Sequence, residues 1–75
     1  MKVAILNFNT CQVQILSNVP AKNNEEVENI LFNELGYNSD EISYMECNRD
    51  TKIMFNNVTS DGNGLKSYYE GAYNI

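Results

Sequence analysis

Val3 to Phe8 form an extended run with no polar face. Val3 and Ile5 point to one side, and Ala4, Leu6 and Phe8 point to the other, because successive strand side chains alternate between faces. Such a strand needs cover on both sides. The chain offers one strong amphipathic helix, and a helix covers one face of a sheet. The second face therefore calls for the C-terminal tail, another subunit or a partner. No other feature of the sequence constrains the fold as strongly.

At 75 residues the chain is one domain near the lower limit for a self-sufficient core. A net folding margin of about 5 kcal/mol or less is expected at this size, so a few buried side chains decide whether it folds.

Two strands open the chain, Lys2–Phe8 and Cys11–Ser17. The second alternates Cys11, Val13 and Ile15 with Gln12 and Gln14. A tight turn at Asn9-Thr10 and a four-residue loop are both compatible with the joint. Either places Ala4, Leu6, Phe8, Cys11, Val13 and Ile15 on one side, and Val3, Ile5, Gln12, Gln14 and Leu16 on the other. A slip by one residue would invert the second strand. Pro20 closes this region because it cannot continue a ladder.

The helix signals follow. Asn23 is a favourable N-cap, with Glu26 three residues on as in a capping box. Glu25, Glu26 and Glu28 suit the positive end of the helix dipole. Val27, Ile30, Leu31 and Leu35 form an apolar stripe at helical spacing. Gly36 is placed to end the helix in a left-handed conformation, with Tyr37 packing back on the last turn. A second hairpin is expected from Glu41–Cys47 and Thr51–Asn56, turning at Asn48-Arg49-Asp50. In it Ile42, Tyr44, Ile53 and Phe55 share a face.

Thr59–Gly64 reads as a linker rich in turn residues. Beyond it Leu65, Tyr68, Tyr69, Ala72 and Tyr73 fall at helical spacing, although Gly71 weakens that reading by about 1 kcal/mol. A disordered terminus is the other reading. The sequence thus predicts an α+β fold: a small ββαββ domain at residues 1–58, followed by a Gly/Asn linker and Tyr-rich tail at residues 59–75. The domain would hold a four-stranded, mainly antiparallel sheet in order 2-1-3-4, with one helix on one face and a short C-terminal helix as an option. A parallel pairing of the second and third strands is the alternative order.

The chemistry is sparse. There is no histidine, which removes the commonest general base and metal ligand near neutral pH. Cys11 and Cys47 have no histidine to activate them and read as buried sheet thiols. Three glutamates in a first helical turn are accounted for by the dipole. Asp61-Gly62-Asn63-Gly64 resembles part of a calcium loop but lacks its ligand pattern and closing Glu. No catalytic, cofactor-binding or metal-binding residue is expected.

The formal charge is −5. The cations Lys2, Lys22, Lys52, Lys66 and Arg49 are dispersed, whereas phosphate-backbone binding needs them clustered. Direct nucleic-acid binding is disfavoured. Met1–Leu6 is too short for a signal-peptide core, and no apolar run approaches the ~20 residues of a membrane span. No membrane association is expected, and a cytoplasmic location is the default.

The run Val3-Ala4-Ile5-Leu6-Asn7-Phe8-Asn9-Thr10, the following Val13 and Ile15, and the Glu-Leu-Gly-Tyr segment Glu34–Tyr37 resemble short reading frames of gut-bacterial genomes and mobile elements. The resemblance extends over roughly the first two-thirds of the chain. It rests on strand and helix pattern, implies no activity and carries no site residue.

The leading functional expectation is a non-enzymatic protein-interaction module whose partner is another protein or a second copy in a homodimer. The surface candidates are Val3, Ile5 and Leu16, joined by Met45 and Met54, together with Tyr68, Tyr69 and Tyr73. The alternative is an acidic nucleic-acid mimic that inhibits a basic partner and is encoded by a phage or mobile element. It rests on the net charge and the helix carboxylates.

Overall fold

The computed structural model describes all residues, Met1 to Ile75. Five strands and one helix are arranged as two separate sheets. Strand β1 spans Lys2–Asn7, β2 Gln12–Leu16 and β3 Ile42–Cys47, with the helix α1 (Asn24–Glu28) and its continuation Asn29–Glu34 between β2 and β3. These three strands form an antiparallel sheet in order β2-β1-β3. Strands β4 (Lys52–Ser60) and β5 (Leu65–Asn74) pair only with each other.

The expected four-stranded sheet is therefore not formed. The Asn48–Thr51 turn is present, with Thr51 N–H donating to the Asn48 carbonyl at 3.2 Å and Asn48 N–H donating to Thr51 Oγ1 at 2.9 Å. After it the chain leaves the sheet, and the β3 edge stays unpaired. Strand β4 has nine residues against six in β3, and β5 pairs with it along its whole length, from Lys52↔Asn74 to Ser60↔Leu65.

The tail is a strand, not a helix. Asp61-Gly62-Asn63-Gly64 is a hairpin loop, not a linker. Gly62 and Gly64 adopt φ of 90° and 118°, values that side-chain-bearing residues rarely take. Asn63 N–H donates to Asp61 Oδ1 at 3.0 Å, and Lys66 Nζ lies 2.7 Å from Asp61 Oδ2. A bulge between Phe55 and Asn56 leaves Glu70 without a partner in the register. It separates the tyrosines that helical spacing would have grouped.

The register of β1 and β2 runs from Val3↔Leu16 to Asn7↔Gln12. Val3, Ile5, Gln14 and Leu16 thus share one face, and Ala4, Leu6, Val13 and Ile15 the other. The joint is a four-residue loop in which Asn7 Oδ1 accepts from the N–H groups of Asn9 and Thr10, and Cys11 takes the positive φ of 56°.

The Asn23 cap forms as expected, while Glu26 reaches one residue further back than a capping box would. Asn23 Oδ1 accepts from Glu26 N–H at 2.9 Å, and Glu26 Oε2 accepts from Lys22 N–H at 2.7 Å. From Asn29 onward the winding becomes π-helical. Leu35 N–H bonds to the Ile30 carbonyl at 2.8 Å, and Tyr37 N–H returns to the Leu31 carbonyl at 2.9 Å across Gly36, whose φ is 78°. Val27 and Leu31 are fully buried, but the wider turn carries Leu35 off the stripe and leaves it 55% exposed.

The helix covers the Val3 and Ile5 side of the sheet. The core consists of Val3, Ile5, Val19, Val27, Leu31 and Ile42. Val19 enters it from the loop after β2, where its N–H donates to the Met1 carbonyl at 2.8 Å. The extended backbone favoured before Pro20 suits this position.

Candidate functional site

The structure reassigns the surface candidates. Val3 and Ile5 are buried beneath the helix, and Leu16 packs against the same core. Val3 and Ile5 are fully buried and hold the fold together, whereas Leu16 is only partly buried. The opposite face of the sheet is the open one. It carries Ala4 and Leu6 from β1, Val13 and Ile15 from β2, and Ser43, Met45 and Cys47 from β3. Met45 lies on this side because it pairs with Ala4. Leu6 and Met45 are about half exposed and Val13 is 67% exposed. Phe8, in the loop at the end of this face, is also exposed.

Tyr68, Tyr69 and Tyr73 are exposed, as are Met54, Phe55, Val58 and Leu65 on the same hairpin. The register sorts them onto two faces. One carries Ile53, Phe55, Tyr68 and Tyr73, with the Phe55 and Tyr73 rings meeting edge to face at 5.6 Å. The other carries Met54, Val58, Leu65, Tyr69 and Ala72. An isolated two-stranded hairpin is marginal in water, and this one exposes apolar side chains on both sides, interspersed with Asn56, Ser60, Ser67 and Asn74 on one and Asn57, Thr59 and Lys66 on the other.

The hairpin projects from the sheet as an arm. No residue of β4 or β5 belongs to the core or packs against it. The nine-residue arm is about 30 Å long and the six-residue sheet about 20 Å, at ~3.3 Å per residue. Their sum matches the 49 Å long axis of the molecule, whose other extents are 27 and 17 Å. At the arm's base Ile75 N–H donates to the Thr51 carbonyl at 3.3 Å. The depression there is lined by Met1, Lys2, Cys47, Asn48, Arg49 and Ile75.

The polar groups are engaged locally. Tyr44 donates its hydroxyl proton to Glu28 Oε1 at 2.9 Å and packs edge to face on Phe32. Burial raises its pKa above the usual 10.0, and the hydrogen bond to Glu28 and the charges of Glu28 and Glu46 push the same way. Asp61 is held below the ordinary 3.8, first by its bond to Lys66 and then by the Asn63 N–H. Nowhere do three or more Cys, Asp or Glu side chains converge as a metal site would require. Cys11 and Cys47 are both free thiols, and the expectation that they are buried in the sheet is corrected: Cys11 is exposed in its loop and Cys47 is half-buried. They sit at opposite ends of the sheet, since Asn7 pairs with Gln12 and Lys2 with Cys47.

No helix is long and apolar enough to cross a membrane. Comparison with protein-family models, curated proteins and solved structures finds no match to this chain.

Proposed function

We propose that this protein is a non-catalytic interaction module that engages protein through its β4–β5 arm. The observation that carries this reading is a long hairpin, bearing exposed aromatic and aliphatic side chains on both faces, held away from the core. Exposed apolar surface marks association sites, and aromatic residues such as Phe55, Tyr68, Tyr69 and Tyr73 are enriched in the centres of interfaces. The acidic-mimic reading would use the helix side instead. There Glu26 closes the helix cap and Glu28 accepts from Tyr44, so two of its carboxylates already serve the fold.

The test is site-specific photocrosslinking in the organism that encodes the protein. A photoreactive residue at Val58 on the arm should give discrete protein adducts, self-adducts included. The same residue at Asn33, exposed on the helix, should give none. Equal labelling from both positions, or no adduct from Val58, refutes the module reading.

A further inference from the structure

The sheet lacks a second layer, and the arm lacks a surface to lie on. We propose that each supplies the other between two copies of this chain: the arm of one protomer lies across the open sheet face of its partner, reciprocally, in a two-fold dimer. This rests on the reading of the arm as the interacting element, and it adds the partner and the two surfaces that meet.

Surface area is the first argument. A compact monomer of 8.6 kDa exposes roughly 4,700 Å². This chain exposes 5695 Å², an excess of about 1,000 Å² over that scaling. A stable dimer of standard size removes about 800 Å² from each partner. The radius of gyration says the same, at 15.6 Å against about 11 Å for a compact chain of this length. Only six residues are buried, so the single copy has a small core and a dimer-sized surplus of surface.

Charge is the second argument, and it selects the arm face. The chain carries ten acidic residues and a net charge of −5. None lies on the open sheet face, whose strand positions are Lys2, Ala4, Leu6, Val13, Ile15, Ser43, Met45 and Cys47. Glu70, the bulge residue, lies beside Phe55, Gly71 and Tyr73 on the other side of the arm, so the arm face bearing Met54, Val58, Leu65, Tyr69 and Ala72 holds no acid and its only charge is Lys52 at its base. The surfaces that would meet are thus free of the carboxylates that would repel across an interface.

Length is the third. The arm cannot reach its own sheet without reversing at Asn48–Thr51. That turn is held by Thr51 N–H to the Asn48 carbonyl, Asn48 N–H to Thr51 Oγ1, Asp50 N–H to Asn48 Oδ1, and Ile75 N–H to the Thr51 carbonyl. Two copies laid head to tail bring each arm, about 30 Å long, over a sheet of about 20 Å, with two-stranded and three-stranded layers at the usual ~10 Å separation. The contact is self-complementary, as a two-fold dimer requires.

The test is mass by sedimentation equilibrium across a concentration series, with far-UV circular dichroism to check folding. The wild-type chain should have twice the 8.6 kDa protomer mass. V13K on the sheet and V58K on the arm alter residues that are 67% and 62% exposed in the single copy. Each should retain its secondary structure and weaken dimerisation by at least about tenfold, the effect of truncating a central interface residue. Should V13K fail to fold, S43K places the charge on the same face at an exposed position and is judged by the same criteria. A dimer unaffected by the sheet-face variant means that arm packs on arm and overturns the proposal. So does a wild-type monomer at millimolar concentration. In that case arm-specific crosslinks to a different protein would leave the module reading standing, and their absence would remove both.

Discussion

The π-helical turn separates two leucines that the sequence places on one stripe, and Leu31→Ala and Leu35→Ala measure that separation. Leu31 is fully buried with Val3, Ile5 and Val27, while Leu35 is 55% exposed. Fully burying a leucine is worth roughly 1.5–3 kcal/mol. Truncating one inside a packed core costs about 2–5 kcal/mol, because the cavity adds to the lost transfer energy. A chain of 75 residues has about 4–11 kcal/mol in all, and a core of six residues argues for the low end. Leu31→Ala should therefore remove half or more of the stability at 25 °C. Leu35→Ala retains little buried surface to lose and should cost less than about 1 kcal/mol at this exposure. Urea unfolding followed by far-UV circular dichroism, at one fixed protein concentration, gives both numbers. If Leu31→Ala leaves no folded baseline, Ile5→Val at the other fully buried centre should cost a measurable 0.5–1.5 kcal/mol, roughly. Equal losses for the two leucines would mean an ordinary α-helical stripe running to Leu35, and would refute the packing described here.

Asn23→Ala should destabilise the fold by about 1 kcal/mol and Asn23→Asp should restore it, since the cap needs only an oxygen to accept from Glu26 N–H; a neutral Ala variant in the same urea assay would remove the cap from the account. Asp61 should titrate below 3.8 in an NMR pH series, and Lys66→Met should bring it back toward that value. Its folded pKa is the lower one, so the stabilisation of the arm's tip is present above the unfolded value and is lost as the pH falls through the depressed one; a midpoint indifferent to Lys66→Met would refute the ion pair. Cys11 should react with a thiol reagent in the native state faster than Cys47, matching exposed against half-buried positions; the reverse order would contradict the placement of the β1–β2 loop.

The parts of the fold that are legible in the residues are those where several local signals agree. Asn23, Glu26, the Val27/Leu31 pair and Gly36 each mark the same helix by a different mechanism; Asn23, the Val27/Leu31 pair and Gly36 act as their chemistry suggests, while Glu26 accepts from Lys22 N–H and not from the Asn23 N–H of a capping box. The facing of β1 and β2 is equally legible, because both loop options lead to the same alternation. Which face the helix takes is not. Both sides of β1 are apolar, with Val3 and Ile5 on one and Ala4 and Leu6 on the other. The interaction candidates on that strand were consequently placed on the side that becomes core.

The arm was hidden by a coincidence of spacing. Leu65, Tyr68, Tyr69, Ala72 and Tyr73 satisfy a helical stripe, yet the bulge beside Glu70 allows the same residues to populate two faces of a strand. The deciding signal was upstream. Asp-Gly and Asn-Gly between two runs rich in aromatic and β-branched residues are strong hairpin turns, and reading them as a linker discarded it.

The demand posed by β1 then changes its address without going away. The helix answers it on the Val3 side, and on the Ala4 side nothing in the single copy does. A chain with a small core gains most from completing that layer, yet its largest remaining apolar element is set on a turn that directs it outward. A monomer selected only for its own stability would shorten the arm or fold it over the sheet, since a two-stranded ribbon adds little by itself. Both uncovered surfaces also lack acidic residues in a chain that has twice as many acids as bases. Exposed apolar side chains on the open sheet face and on the arm, and the absence of carboxylates from the two surfaces that would meet, are separate properties of the sequence. They coincide on the surfaces that one copy leaves open and two copies can close.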